Sequence, residues 1–266
     1  MNTIFSFIKR HPIVMFVTLA YLLSWWSAPF ANGQIMPQGP AVAAAIVLAI
    51  TSGRLGLRTL WHRIIHWRVA WYWYVIGPGI IASYIGGAYA LNLLLGASVA
   101  NPPHLPTIGT ILELLLLGGW LEEPGWSGYA LPKLQEHFAS RSNGALLAAL
   151  GVGLFRAIWH LPLVIYGHIP WFDVVVSEIA IQLIIAWLFN RSGGSVLVVM
   201  LFHLASNISG AVINSSVFTG TEWTVYYALF VALQSLIALG IVIISGIRLG
   251  QKANEMKLAI VDQKAA

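Results

Sequence analysis

Residues 120–131 read W-L-E-E-P-G-W-S-G-Y-A-L. Two adjacent carboxylates, Glu122 and Glu123, follow directly on the apolar run at 111–120. The chain of 266 residues has nine acidic side chains in all, so a pair of them beside hydrocarbon needs a cause. Ionised groups in an apolar setting are costly unless a partner, a proton or water compensates. Pro124-Gly125 comes next. Proline removes a backbone donor and crowds the preceding turn, while glycine adds freedom. The helix is predicted to kink or loosen here, and the freed backbone groups then need protein or water. The bland alternative is that the pair merely ends an apolar segment at the membrane surface.

The composition around this stretch is that of a membrane protein. Hydrophobic residues make up 58% and charged residues 9%, against about 25% charged in soluble domains. Mean hydropathy is +0.79. Twelve Trp and nine Tyr suit the boundary between lipid and water. The chain has no Cys, which excludes disulfides, thiolate ligands and a cysteine nucleophile. The net charge of +5 forms no dense basic tract, so no nucleic-acid partner is expected.

A spanning helix needs about 20 mostly apolar residues. Candidates lie at 12–31, 35–52, 69–97, 106–132, 144–166, 171–189, 194–214 and 223–247, which predicts an all-α bundle of about eight transmembrane helices. The first run follows Lys9-Arg10 and continues through Trp25-Trp26. Bulky Trp residues make a poor cleavage site, so it is read as a retained span. Lys and Arg favour cytoplasmic connections. With both termini cytoplasmic, thirteen of the fourteen basic residues fall on one side, and the connections near 32–34, 98–105, 167–170 and 215–222 hold none. The fourteenth, Arg156, lies inside a span. Residues 55–68 are too polar to span. Arg54, Arg58, His62 and His66 recur every four residues opposite Leu57, Leu60, Trp61 and Ile64, the pattern of a helix lying against lipid headgroups. Residues 1–250 read as one membrane domain, and 251–266 as a polar cytoplasmic tail.

Three spans carry the remaining polar anomalies. Span five has R-A-I-W-H, placing Arg156 and His160 four apart on one face, with Pro162 behind. An intramembrane His is often a structural hydrogen-bonding residue. Arg156 stays charged and needs an anion or water, and Glu113, Glu122, Glu123 and Glu178 are the carboxylates of neighbouring apolar segments. Span seven has H-L-A-S-N, with His203 and Asn207 on one face, which suits either a polar clasp between helices or a pair of donors. A carboxylate with two histidines can activate water directly or through a metal, and His203 with Asn207 can supply oxyanion donors. Hydrolysis of an amide bond in or beside the membrane follows as the natural reaction. Ser206 points about 100° away from Asn207 on a helix, which ranks a serine mechanism low. A proton-coupled carrier would be expected to show two repeated halves, and none is visible.

The residues that carry this chemistry also carry a family resemblance. E-E-P-G-W-S-G-Y-A-L-P-K-L at 122–134, W-H-L-P-L at 159–163 and N-R-S-G-G-S-V-L-V-V-M-L-F-H-L-A-S-N at 190–207 resemble, in order, the three motifs of the CPBP family. That family comprises type II CAAX prenyl endopeptidases and bacteriocin-processing or Abi-type proteins. H-W-R-V-A-W-Y-W-Y at 66–74 resembles a further family feature. The resemblance implies an intramembrane endopeptidase, described as metal-dependent or glutamate-dependent. It implies that Glu122 and His160 activate the attacking water. His203 and Asn207 would stabilise the oxyanion or join a metal site, and Glu123 would fill the second glutamate position. Glu122, His160 and His203 would be the ligands of a zinc or other divalent ion, with the metal requirement left open. Partners would be membrane lipids and a peptide or membrane-protein substrate, in a bacterial inner membrane. Two positions depart from the pattern. Ser127 stands where the first motif has Arg, and Arg156 stands where the second has an aromatic residue. The expectation is a relocated cation, with Arg156 serving Glu122 or Glu123. The alternative is a non-catalytic immunity or scaffold protein of the same family.

Overall fold

The computed structural model describes residues 2–251. The polar tail expected at 251–266 lies, beyond residue 251, outside the described residues. Those described form helices and connections with no strand among them. In chain order the helices are α1 (Asn2–Arg10), α2 (Pro12–Trp25), α3 (Gly39–Thr51), α4 (Gly53–Ile64), α5 (Trp73–Leu94), α6 (Ile108–Leu114), α7 (Trp120–Gly125), α8 (Leu131–His137), α9 (Gly144–Trp159), α10 (Leu161–Ile165), α11 (Glu178–Arg191), α12 (Val196–Val212) and α13 (Gly220–Ser245). All eight apolar stretches of the sequence are helical over most of their length. Three helical segments, Trp73–Leu94, Asp173–Arg191 and Gly220–Ser245, are each long and apolar enough to cross a membrane. Four shorter apolar helices, α2, α3, α9 and α12, pack among them.

The outer surface confirms lipid as the solvent. On α13, Leu236, Leu239, Ile243 and Ile244 are exposed, as are Leu22 and Leu94 elsewhere. A soluble monomer rarely shows so continuous an apolar face. The protein is an integral membrane protein.

The predicted loosening at Pro124-Gly125 takes a different form from a break. Residues 108–137 run on as helix, with wide π-helical turns at Leu115–Gly119 and Trp126–Ala130 on either side of α7. A π turn carries an extra residue per turn, so it absorbs the donor lost at Pro124 without opening the chain. Gly125 serves packing: a Cβ there would collide with the Pro40 backbone of α3. α4 forms over most of the amphipathic stretch. Leu60 is buried, whereas Leu57 and Trp61 remain exposed. Arg63 Nη1 donates to Gly128 O at 2.8 Å, and Leu60 packs against the same residue of the second π turn.

Hydrogen bonds between connections define the two ends of the bundle. At one end Arg63 reaches Gly128, Ser195 Oγ donates to His66 O at 2.6 Å, and Asn190 Nδ2 donates to Leu249 O at 3.0 Å. Asn190 is buried, and it also accepts from Gln135 Nε2 at 2.9 Å. At the other end Asn101 Nδ2 donates to Ser216 O at 2.9 Å, Ser98 N to Glu222 Oε1 at 3.0 Å, and His168 Nε2 lies 2.6 Å from Asn32 O. Among the described residues, every Lys and Arg except Arg156 lies in a connection, at the end of α1 or α11, or on the short helices α4 and α8.

Candidate active site

The two glutamates of α7 face different surroundings because successive helical residues point about 100° apart. Glu123 is fully buried. Its Oε1 accepts from Arg156 Nη1 at 2.8 Å and pairs with His203 Nδ1 at 2.8 Å, and its Oε2 accepts from Ser127 Oγ at 2.5 Å. Ser127 can do this because it lies four residues on, on the same helix face. Glu122 lines a cavity. Its Oε2 is buried with no hydrogen-bond partner and lies 3.9 Å from Arg156 Nη2, beyond hydrogen-bonding distance.

Arg156 bridges the helices that carry these carboxylates. Besides Glu123, its Nε donates to Glu178 Oε2 at 3.1 Å. A guanidinium in low dielectric is tolerated when carboxylates meet its fork in this way. Arg156 rises from α9, and the end of that helix is anchored by α2. Tyr21 Oη donates to Phe155 O at 2.9 Å, and Trp25 Nε1 donates to Trp159 O at 2.9 Å. His160 sits at the junction of α9 and α10, where Pro162 begins the new helix. Its Nδ1 lies 3.0 Å from Arg156 O and 3.3 Å from Glu178 Oε1. Both neighbours are acceptors, which favours a proton on Nδ1 and leaves Nε2 as the other nitrogen.

His203 follows the same logic on α12. Glu123 accepts at its Nδ1 and leaves Nε2 for other partners. The π turn at Leu115–Gly119 lies directly against this face. A Cβ at Gly118 would collide with Asn207 Nδ2 and come within 3.5 Å of His203 Nε2. A Cβ at Gly119 would stand 2.7 Å from Met200 O. The Gly118-Gly119 pair therefore lets the first-motif helix approach α12 closely enough for the two motifs to meet.

A cavity of about 700 Å³ joins these groups. Glu122, Arg156, His160, His203 and Asn207 all line it, and Glu123 does not. Glu178 also lines it, and with Glu123 it neutralises Arg156. The sequence offered Glu178 only as one of several possible anions for Arg156. Its signal was an acid at the head of an apolar run, which is also what an ordinary helix start looks like. Asp173, on a third π turn (Asp173–Ser177), lines the same space and was not singled out from the sequence.

Glu122, His160 and His203, the residues that would hold a divalent ion, line one cavity, and each histidine has its Nδ1 engaged by another partner. As arranged, no three His, Asp or Glu side chains among the described residues form a group able to hold one. Glu123 and Glu178 are committed to a guanidinium. A dication near Glu122 would face that fixed positive charge across a gap in which opposite carboxylates are already engaged.

Residues 104–209 match the family model of the type II CAAX prenyl endopeptidase Rce1-like proteins. A relative, CAAX prenyl protease 2 of Methanococcus maripaludis, is 28% identical over 110 residues, covering 37% of this chain. The chain spans 39% of that relative's length. Glu122, Glu123, Arg156, His160, His203 and Asn207 all fall inside the matched residues.

Proposed function

We propose that this chain, whose residues 104–209 match the Rce1-like type II CAAX prenyl endopeptidase model, is an intramembrane endopeptidase of the CPBP/CAAX protease family that hydrolyses a peptide bond with a water activated by Glu122 and His160. The observation that carries the proposal is the asymmetry of the glutamate pair. Glu123 is consumed by three protein partners, whereas Glu122 accepts no protein hydrogen bond, lines the cavity, and has only Arg156 near its buried Oε2. A general base needs such a carboxylate within reach of water.

In this scheme Glu122 removes a proton as the water oxygen attacks the carbonyl carbon. The carbonyl oxygen becomes an oxyanion beside Asn207 Nδ2 and His203 Nε2. Asn207 donates in any state, and His203 donates when Nε2 also carries a proton. The C–N bond then breaks, the proton held by Glu122 passes to the leaving nitrogen, and the products are a carboxylate and an amine. Glu123 and Arg156 act as positioning residues: Glu123 orients His203, and Arg156 joins Glu123 to Glu178. No step requires a metal ion. Metal content of the purified protein, and activity before and after chelation, test a zinc or other divalent requirement. The protein is placed by this proposal in a bacterial cell membrane with both termini cytoplasmic.

Glu122→Gln is the direct test. Loss of a general base costs about 10²–10⁴ in rate, so cleavage of membrane peptides should fall to background while abundance in the membrane is unchanged. Retained cleavage sinks the proposal. The departure at Ser127 favours a second reading, a non-catalytic immunity or scaffold protein. Protection or binding that persists in Glu122→Gln, with no cleavage by the wild type, would establish that reading.

A further inference from the structure

The cavity occupies only one half of the bundle. On the helical run 108–137 it is lined from Glu113 to Glu122, on and beyond α12 from His203 to Ser215, and on α13 from Trp223 to Gln234. Each of these stretches lies toward the end where Asn101 meets Ser216 and Ser98 meets Glu222. The eleven steps along α13 from Trp223 to Gln234 correspond to about 16 Å of depth at 1.5 Å per residue, roughly half of a hydrocarbon core about 30 Å thick. Glu122 and His203 form the inner limit of the space.

Below that limit the bundle is closed. Phe16 packs edge-on to Trp126 with ring centroids 5.4 Å apart, and against Tyr129 at 5.0 Å. Trp126 also meets Trp159 at 6.0 Å. All four rings are buried. This plug separates the site from the end that carries Arg63, Lys133, Arg141 and Arg191. The mouth has exposed Glu113 and Ser215 at its rim and no Lys or Arg among the described residues of the surrounding connections. Basic connections stay on the cytoplasmic side, so the charge map and the cavity assign opposite faces to the two ends.

We infer that the site opens on the extracytoplasmic face and takes its peptide there. The word peptide rests on the endopeptidase proposal, and the direction of opening does not. The occupant is an extended segment of an exported or membrane-anchored polypeptide whose scissile bond enters the outer half of the membrane. A prenylated C-terminus presented from the cytoplasm would meet the aromatic plug.

The natural absence of Cys makes the test direct. Single variants Ser215→Cys at the rim, Ser206→Cys on the cavity wall and Ser140→Cys at the basic end are labelled in intact cells with a membrane-impermeant maleimide. Ser215→Cys and Ser206→Cys should react in intact cells, and Ser140→Cys only after permeabilisation. Rim labelling that requires permeabilisation reverses the assigned face and overturns the inference. Ser206→Cys that reacts from neither side, or only from the side of Ser140→Cys, overturns it equally. Labelling needs no turnover, so inactivity of the protein leaves the result readable. Inactive protein with rim labelling in intact cells would reject the peptidase proposal alone.

Discussion

Around Trp126 and Asn190 the bundle is filled by rings and aliphatic side chains, and its polar groups tie one connection to another. Around His160 and Asn207 the same helices stand apart, and polar groups face a cavity of about 700 Å³. The two halves share α7, α9 and α12, so the difference does not come from separate elements. It comes from where bulky and small side chains fall along each helix. Phe16, Trp126 and Tyr129 fill the first half, while in the second Gly118 brings the first-motif helix against Asn207 at the cavity wall. A dry, packed half and an open, polar half within one bundle are what water-dependent chemistry in a membrane requires.

The largest effect should come from the boundary between the halves. Arg156→Leu leaves Glu123 buried and Glu178 half-buried without their guanidinium, and breaking a buried ion pair costs about 3–5 kcal/mol. Thermal unfolding in detergent should fall sharply, and folded protein in the membrane with it. In the packed half, Trp126→Ala opens a cavity costing about 3–5 kcal/mol. Its unfolding midpoint should drop comparably, and a small drop would mean that the aromatic plug is not load-carrying.

The relocation of the cation predicts a rescue. Ser127→Arg combined with Arg156→Trp should retain more cleavage than Arg156→Trp alone, since an arginine at 127 can reach Glu123 from the position of a side chain already bonded to it. Equal loss in the two variants would show that Arg156 does more than supply charge.

Gly118→Ala sharpens the comparison from the open half. Its methyl group would displace Asn207 Nδ2, and a shift near 1 Å costs about 10²-fold in rate. Activity should fall by that order with the unfolding midpoint little changed. The smallest effect is expected at Ser206→Ala, a half-buried wall residue, with stability altered by no more than about 0.5 kcal/mol. A larger change would mean that the open half is held together by polar contacts after all.

Much of the candidate site was legible before any packing was known. Arg156 with His160, and His203 with Asn207, are four apart, and helical periodicity alone puts each pair on one face. Glu178 was less legible because an acid at a helix start is commonplace and its partners come from another helix. On α4 the stripe marked an amphipathic helix, and the structure adds which of its residues turns inward, Leu60, beside the contact from Arg63 to Gly128. At Pro124, sequence alone could not distinguish a kink from a pair of π turns, because either relieves the missing donor.

The sequence by itself determined that this is an all-helical membrane protein, which residues share each helical face, and on which end the basic charges lie. These follow from composition and from the fixed periods of the helix and the bilayer. Only the tertiary structure decided that Glu123 is spent on Arg156, His203 and Ser127 while Glu122 is left at the cavity, and that the cavity lies away from the basic end. Those outcomes depend on the register between helices, and register is set by packing contacts among residues distant in the chain.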